Sequence, residues 1–234
     1  MKRTIIFSAV VIAALFLASC GKIKDTGTSP NNPANPNEGA PGGVDNSTYP
    51  FETDSDLAGI TLSGGGFTDT SISTVKAYMG SASVKITVLF DAPNKQGRLD
   101  RAGITLSTLT GKVISGHIWV PNGMFASSVP YGCFFYMQFD SSNNSDWYQS
   151  TWQNLSAPTG AIKGQWNALA VNVDSAMTLQ NGNGQAGHLN GNTLSQNSVS
   201  TSLPVKLGIV VGQSGDAAST GYTGYIYIDS INIQ

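Results

Sequence analysis

Charged residues are scarce in this chain: Asp, Glu, Lys and Arg make up 11% of its 234 residues, with a net charge of −2, where about 25% is usual. The few Lys and Arg are scattered rather than gathered in a stripe, which excludes a nucleic-acid binder. Cysteine is scarcer still. Cys20 and Cys133 are the only two, and they cannot build a disulfide framework. The two histidines, His117 and His188, stand without any His-Glu-x-x-His, Gly-x-Ser-x-Gly or Cys-x-x-Cys spacing, so neither zinc chemistry nor an activated nucleophile is indicated. Gly64-Gly65-Gly66 lacks the Lys and Ser or Thr of a phosphate loop and reads as a turn. From Pro50 onward Glu52 is the only glutamate. A typical glycosidase needs two carboxyl groups about 5 to 9.5 Å apart, and here only distant aspartates such as Asp140 and Asp174 are candidates to converge. Helical periodicity is missing, as is any repeat of solenoid or propeller period.

What is present begins with targeting chemistry. Met1-Lys-Arg precedes the apolar run Ile5–Leu17, which ends at small residues; this is the pattern of a secretory signal over residues 1–19. The run is shorter than the roughly 20 residues that span a bilayer. Leu17-Ala18-Ser19-Cys20 resembles the lipobox of bacterial lipoproteins, and that resemblance implies that Cys20 becomes the lipid-modified first residue of the mature chain. Each buried CH₂ of an acyl chain contributes about 0.8 kcal/mol, so several chains make a durable tether to the cell envelope, with the outer membrane or cell surface as the expected place. Residues 20–49 are rich in Pro, Asn, Gly, Ser and Thr and nearly devoid of large apolar side chains, which predicts a flexible linker. Residues 50–234 are long enough for one domain with a sizeable core.

That domain reads as an all-β antiparallel sandwich or jelly roll. The segments with strongest strand character are 83–90, 113–120, 132–140, 166–173, 204–212 and 224–233, separated by turn residues. Alternation assigns faces. Cys133, Phe135, Met137 and Phe139 point to the core while Phe134, Tyr136 and Gln138 point away. Cys133 thus reads as a buried thiol, not a nucleophile. Ile114, Ile118 and Val120 face the core while His117 and Trp119 face outward, and Lys206 opposes Val205, Leu207 and Ile209. The polar, glycine-rich stretch Met177–Leu203 is too long for an ordinary loop and too polar for a central strand.

Two features carry the functional reading. Trp147, Tyr148 and Trp152 sit in or beside a polar stretch with little core to fill, and rings beside amides and acids suit the apolar faces and hydroxyls of sugars. The closing segment Tyr222-Thr-Gly-Tyr-Ile-Tyr-Ile-Asp-Ser-Ile-Asn-Ile233 sets one acid, Asp229, among aromatic and β-branched residues. An unpaired buried carboxylate costs several kcal/mol, so Asp229 binds a cation, accepts several hydrogen bonds, or points to water.

Taken in order, Pro50-Phe-Glu52, Gly80-Ser-Ala-Ser-Val-Lys-Ile86, Ile118-Trp-Val-Pro-Asn-Gly123, Phe135-Tyr-Met-Gln138 with Trp147 and Trp152, Trp166-Asn-Ala-Leu169 and Tyr222–Asp229 resemble the jelly-roll, galactose-binding-like type of carbohydrate-binding module. The resemblance implies a non-catalytic polysaccharide binder with a structural calcium held by Glu52 and Asp229 together with backbone carbonyls. It also implies a glycan platform on a concave sheet, formed by Gln138, Trp147 and Trp152 and extended by His117, Trp119 and Tyr136. Such modules are often attached to plant-polysaccharide hydrolases, so a separately encoded glycoside hydrolase is an expected partner. An adhesin or structural lipoprotein with the same fold is the alternative expectation, and a glycosidase using an unusual pair of aspartates a third.

Overall fold

The computed structural model describes residues 48–104, 108, 110–125, 131–139, 146–155, 164–181, 187–199, 205–213 and 221–234. The signal segment, Cys20 and all of the linker before residue 48 lie outside the described residues, as does Asp140.

Two antiparallel sheets share one core. The first contains β1 (Ile60–Ser63), β4 (Gln96–Ile104), β11 (Val205–Gln213), β6 (Tyr131–Phe139), β7 (Asp146–Gln149) and β10 (Thr178–Asn181) in that spatial order, with the two-residue β8 (Gln153–Asn154) also on β6. The second runs β2 (Phe67–Ser73), β3 (Ser83–Leu89), β12 (Thr223–Ile233), β5 (Val113–Trp119), β9 (Trp166–Asn172). The sole α-helical piece among the described residues is a single turn, α1 (Val173–Ala176), capped by Asn172. The expected sandwich is therefore the observed architecture.

The core is built from the alternating residues of both sheets. Val84, Ile86, Val88, Ile114, Ile118, Ile226 and Ile228 from one sheet meet Leu99, Tyr131, Cys133, Phe135, Met137, Phe139, Leu207 and Ile209 from the other in one buried cluster. Each large apolar side chain fully buried there contributes about 1.5 to 3 kcal/mol. Cys133 is a buried free thiol in this cluster, in agreement with its reading as a small core residue.

All six segments with strong alternation are strands, but a central strand, β4, carries almost none of that signal. Its sequence Gln-Gly-Arg-Leu-Asp-Arg-Ala-Gly-Ile sends Leu99 inward while Arg98 and Asp100 stay on the outer face. Part of the Met177–Leu203 stretch is also structured: Thr178–Asn181 is an edge strand on β7, and Leu194 and Asn197 are buried behind it. Asn197 donates to the Tyr148 hydroxyl at 2.9 Å and accepts from the Leu189 amide at 3.0 Å, which ties this stretch to β7.

The closing strand is shaped by its acid. Tyr225, Tyr227 and Asp229 project from the outer face of the second sheet, and Ile226 and Ile228 from the inner. Pairing with β5 then slips between Asp229 and Asn232, where Ser230 takes a φ of 51° and returns Ile231 to the core; this is a β-bulge, which re-aims side chains along a strand. The chain's first described residues are fastened to its last strand by direct hydrogen bonds, Tyr49 N–H to the Ile231 carbonyl at 2.9 Å and the Thr48 hydroxyl to Asn232 at 3.0 Å.

Candidate functional site

The outer face of the first sheet carries a platform assembled from four strands. In register across β11, β6 and β7 lie Lys206, Gln138 and Trp147. The next outward row is Asp100, Gly208, Tyr136 and Gln149, and the one after it Arg98, Val210 and Phe134. Tyr136, Phe134 and Val210 form a small apolar cluster separate from the main core, with Trp147 and Trp152 packed on it and partly exposed.

Glycine lets the rings lie down. A Cβ on Gly208 would stand 2.4 Å from a Tyr136 ring carbon, and one on Gly132 would stand 2.0 Å from Trp152, both far inside van der Waals contact. Tyr136 therefore lies over Gly208 and reaches the Asp100 carboxylate, to which its hydroxyl donates. Asp100 also accepts from the Ser63 hydroxyl at 2.9 Å. Trp147 stacks on Tyr136, with ring centroids 3.9 Å apart and planes 9° from parallel, and its indole N–H donates to Gln149 at 3.0 Å. The Arg98 guanidinium sits 4.9 Å from the Trp147 centroid, while Trp152 leans on Phe134 at 5.8 Å. Gly208→Ala is expected to destabilise the protein by about 1 to 3 kcal/mol through overpacking, because Tyr136 and the Trp147 above it must move; paired melting curves of wild type and variant check it.

Burial raises the pKa of two tyrosines in this sheet. For Tyr136 it is the largest cause, with the hydrogen bond to Asp100 and that residue's charge adding to it. For Tyr148 burial is again the largest, opposed by the bond from Asn197, and the result is about 12. The folded state thus keeps these phenolic protons to higher pH than the unfolded chain, whose tyrosines ionise near 10. Stability should be fully present below pH 10 and fall as pH rises above it; Tyr148→Phe should flatten that fall in denaturant melts at pH 9 and 11.

The structure brings together four of the six predicted platform residues, Tyr136, Gln138, Trp147 and Trp152, and separates the other two. His117 and Trp119 lie on β5, in the second sheet, and face outward on the opposite side of the sandwich. Alternation tells inward from outward along a strand; it does not tell which of two outward faces a strand presents, and the assignment of His117 and Trp119 to the Tyr136 platform is corrected accordingly. His117 stacks on Tyr78 at 3.4 Å, and Trp119 meets Tyr227 edge-on at 5.7 Å. Conversely, Arg98, Asp100, Gln149 and Lys206 stand on the platform. Their strand partners are distant in sequence, and the one usable signal was the outward position of Lys206.

Glu52 and Asp229 converge on one turn. Asp229 is fully buried; its Oδ2 accepts from the backbone N–H of Tyr78 at 2.7 Å and of Met79 at 3.2 Å, and its Oδ1 from that of Ser230 at 2.8 Å. Glu52 accepts from the Ser81 N–H at 2.9 Å and its hydroxyl at 2.7 Å. Hard oxygens of this kind suit calcium. Among the described residues no three His, Cys, Asp or Glu side chains gather around a common point, so an ion here would take at most these two acids and complete its shell from neutral oxygens and water.

No protein-family model matches this chain, and no curated protein does. Solved structures do. One is a carbohydrate-binding module of the β-sandwich superfamily, studied for promiscuous specificity, with 24% identity and a TM-score of 0.56 over 82% of this chain and 63% of that one; the chain thus spans less than two thirds of that structure's length. Another is the family 11 carbohydrate-binding module of the cellulosomal cellulase of Clostridium thermocellum, with 11% identity and a TM-score of 0.50 over 82% of this chain and 95% of that one. At these identities the likeness establishes a shared β-sandwich fold, and the structures that share it are carbohydrate-binding modules.

Proposed function

We propose that this domain binds polysaccharide without cleaving it, on the outer face of the first sheet, and that the lipid expected on Cys20 holds it at a bacterial cell envelope. The observation that carries the reading is the pair of partly exposed tryptophans, Trp147 and Trp152, bedded on Tyr136 and Phe134 over glycine and ringed by the partly exposed Gln138, Gln149, Arg98 and Lys206. Indole faces stack on the apolar faces of sugar rings, and amide, guanidinium and ammonium groups form hydrogen bonds with their hydroxyls. The chemistry is that of recognition: donors and acceptors surround flat apolar surface, and Asp100 is engaged with Tyr136 and Ser63. A separately encoded glycoside hydrolase is the partner that would use glycan held in this way.

Affinity electrophoresis and calorimetry against mannans, xylans and β-glucans test the reading. Retention by at least one of these is expected; no binding to any glycan in the panel overturns it and favours an adhesin or structural role for the same fold.

A structural calcium at Glu52 and Asp229 belongs to the same proposal. It would hold the turn at Tyr78–Ser81 against both ends of the domain and take no part in sugar contact. A ligand that binds only the folded state raises stability, so protein purified with calcium is expected to melt lower after chelator is added. An unchanged melting temperature would remove the ion and leave the two acids to their hydrogen bonds with the turn.

A further inference from the structure

The second sheet's outer face carries its own aromatic and cationic row, on the side of the sandwich away from Trp147. Lys85, Tyr227, Trp119 and Trp166 are in register across β3, β12, β5 and β9, a span of about 14 Å at the usual strand spacing. Tyr225, one outward position from Tyr227, is 47% exposed, and the Lys85 ammonium lies 3.7 Å from its ring centroid. Lys76, on the turn that crosses this face, holds its ammonium 4.7 Å from the Trp119 centroid. Lys85 makes no ion pair among the described residues. The acids facing this region are Asp69, exposed at the β2 edge, Asp229, which is buried and already accepts three backbone N–H groups, and Glu52, which is held by the N–H and hydroxyl of Ser81 on the turn that carries Lys76.

We propose that this face is a second binding surface, and that it takes an anionic polysaccharide, with Lys76 and Lys85 meeting its carboxylate or sulfate groups and Tyr225 meeting its sugar faces. Lys76 held over Trp119 and Lys85 held over Tyr225 present two separate positive charges on one face, each positioned by its cation–π contact. A repeating acidic chain complements that spacing. A membrane-inserting face would offer large exposed apolar wedges; here Trp119 and Trp166 are mostly buried, and Tyr225 and Val75 are the large apolar side chains the face exposes. The surface is independent of the platform, and the two lie on opposite sides of the sandwich, so one molecule would hold two different polysaccharide chains.

Native electrophoresis of the mature protein in gels containing polygalacturonate tests this. Wild type is expected to be retarded, and less so as salt rises from 0.05 to 0.5 M in the companion binding assay, because the contacts are exposed and screened. Exposed ion pairs contribute up to about 1 kcal/mol each, so Lys76→Ala/Lys85→Ala should weaken binding by about tenfold, and Lys76→Arg/Lys85→Arg should retain it. Tyr225→Ala should weaken it too. Three results overturn the proposal: no retardation of wild type; retardation lost in Trp147→Ala and kept in the double lysine variant, which puts the acidic polymer on the platform beside Arg98 and Lys206; or binding to phosphatidylglycerol vesicles with none to polygalacturonate, which makes the face a membrane contact.

Discussion

Asp229→Ala is expected to lower stability by about 3 kcal/mol or more, since it strips the backbone N–H groups of Tyr78, Met79 and Ser230 of a charged acceptor in a fully buried place. Leaving a buried donor unsatisfied costs about 1 to 3 kcal/mol, and bonds to a charged acceptor stand at the upper end. For a domain of this size a loss of 3 kcal/mol corresponds to a fall of roughly 6 to 12 °C in melting temperature. The effect should spread, because the turn at Tyr78 also carries the ring stacked on His117 and the lysine over Trp119. Asp229→Asn, which keeps one acceptor oxygen and places an amide N–H₂ among donors, should fall between wild type and alanine. Melting within 1 °C of wild type for the alanine variant would mean that the turn finds other acceptors.

Trp147→Ala should have the largest effect on glycan binding. The indole is the partly exposed top of a stack whose lower ring, Tyr136, is buried and anchored to Asp100, so it is held at a set height and tilt before any ligand arrives, and preorganised surface binds with less ordering cost. Its removal should weaken binding by about 1 to 3 kcal/mol, by analogy with ring stacking on bases. The fold should survive, with a loss near the 0.5 to 1.5 kcal/mol of an aromatic pair. Trp152→Ala should weaken binding in the same direction, while Trp119→Ala, on the far side of the sandwich, should leave neutral-glycan affinity at the wild-type value. Calorimetry on the three variants with the best glycan of the panel checks the order; equal affinity for Trp147→Ala and wild type would move the site off this sheet.

The strand-rich fold was legible because period-two alternation is a local property: Phe135 and Met137 face the core on the strength of their own neighbours. Strand β4 was not legible, since its outward positions hold Arg98 and Asp100 and its inward signal reduces largely to Leu99. The same charges that hid the strand furnish the platform's polar edge. Gly132 and Gly208 were ambiguous for a related reason. In sequence they weaken a strand, whereas in the sheet they are the floor on which Trp152 and Tyr136 lie.

Sequence alone determined that the chain is all-β, that Cys133 and the alternate residues of β6 are core, that Trp147 and Trp152 have too little core to fill, and that Asp229 needs a partner. Each follows from composition and from spacing within one segment. Only the tertiary structure decided that Tyr136 and Trp147 share a sheet while His117 and Trp119 occupy the other, and that the donors to Asp229 come from Tyr78 and Met79, about 150 positions away. Strand neighbours are selected by how two whole sheets close over a common core, and a strand's own alternation is the same whichever sheet it joins.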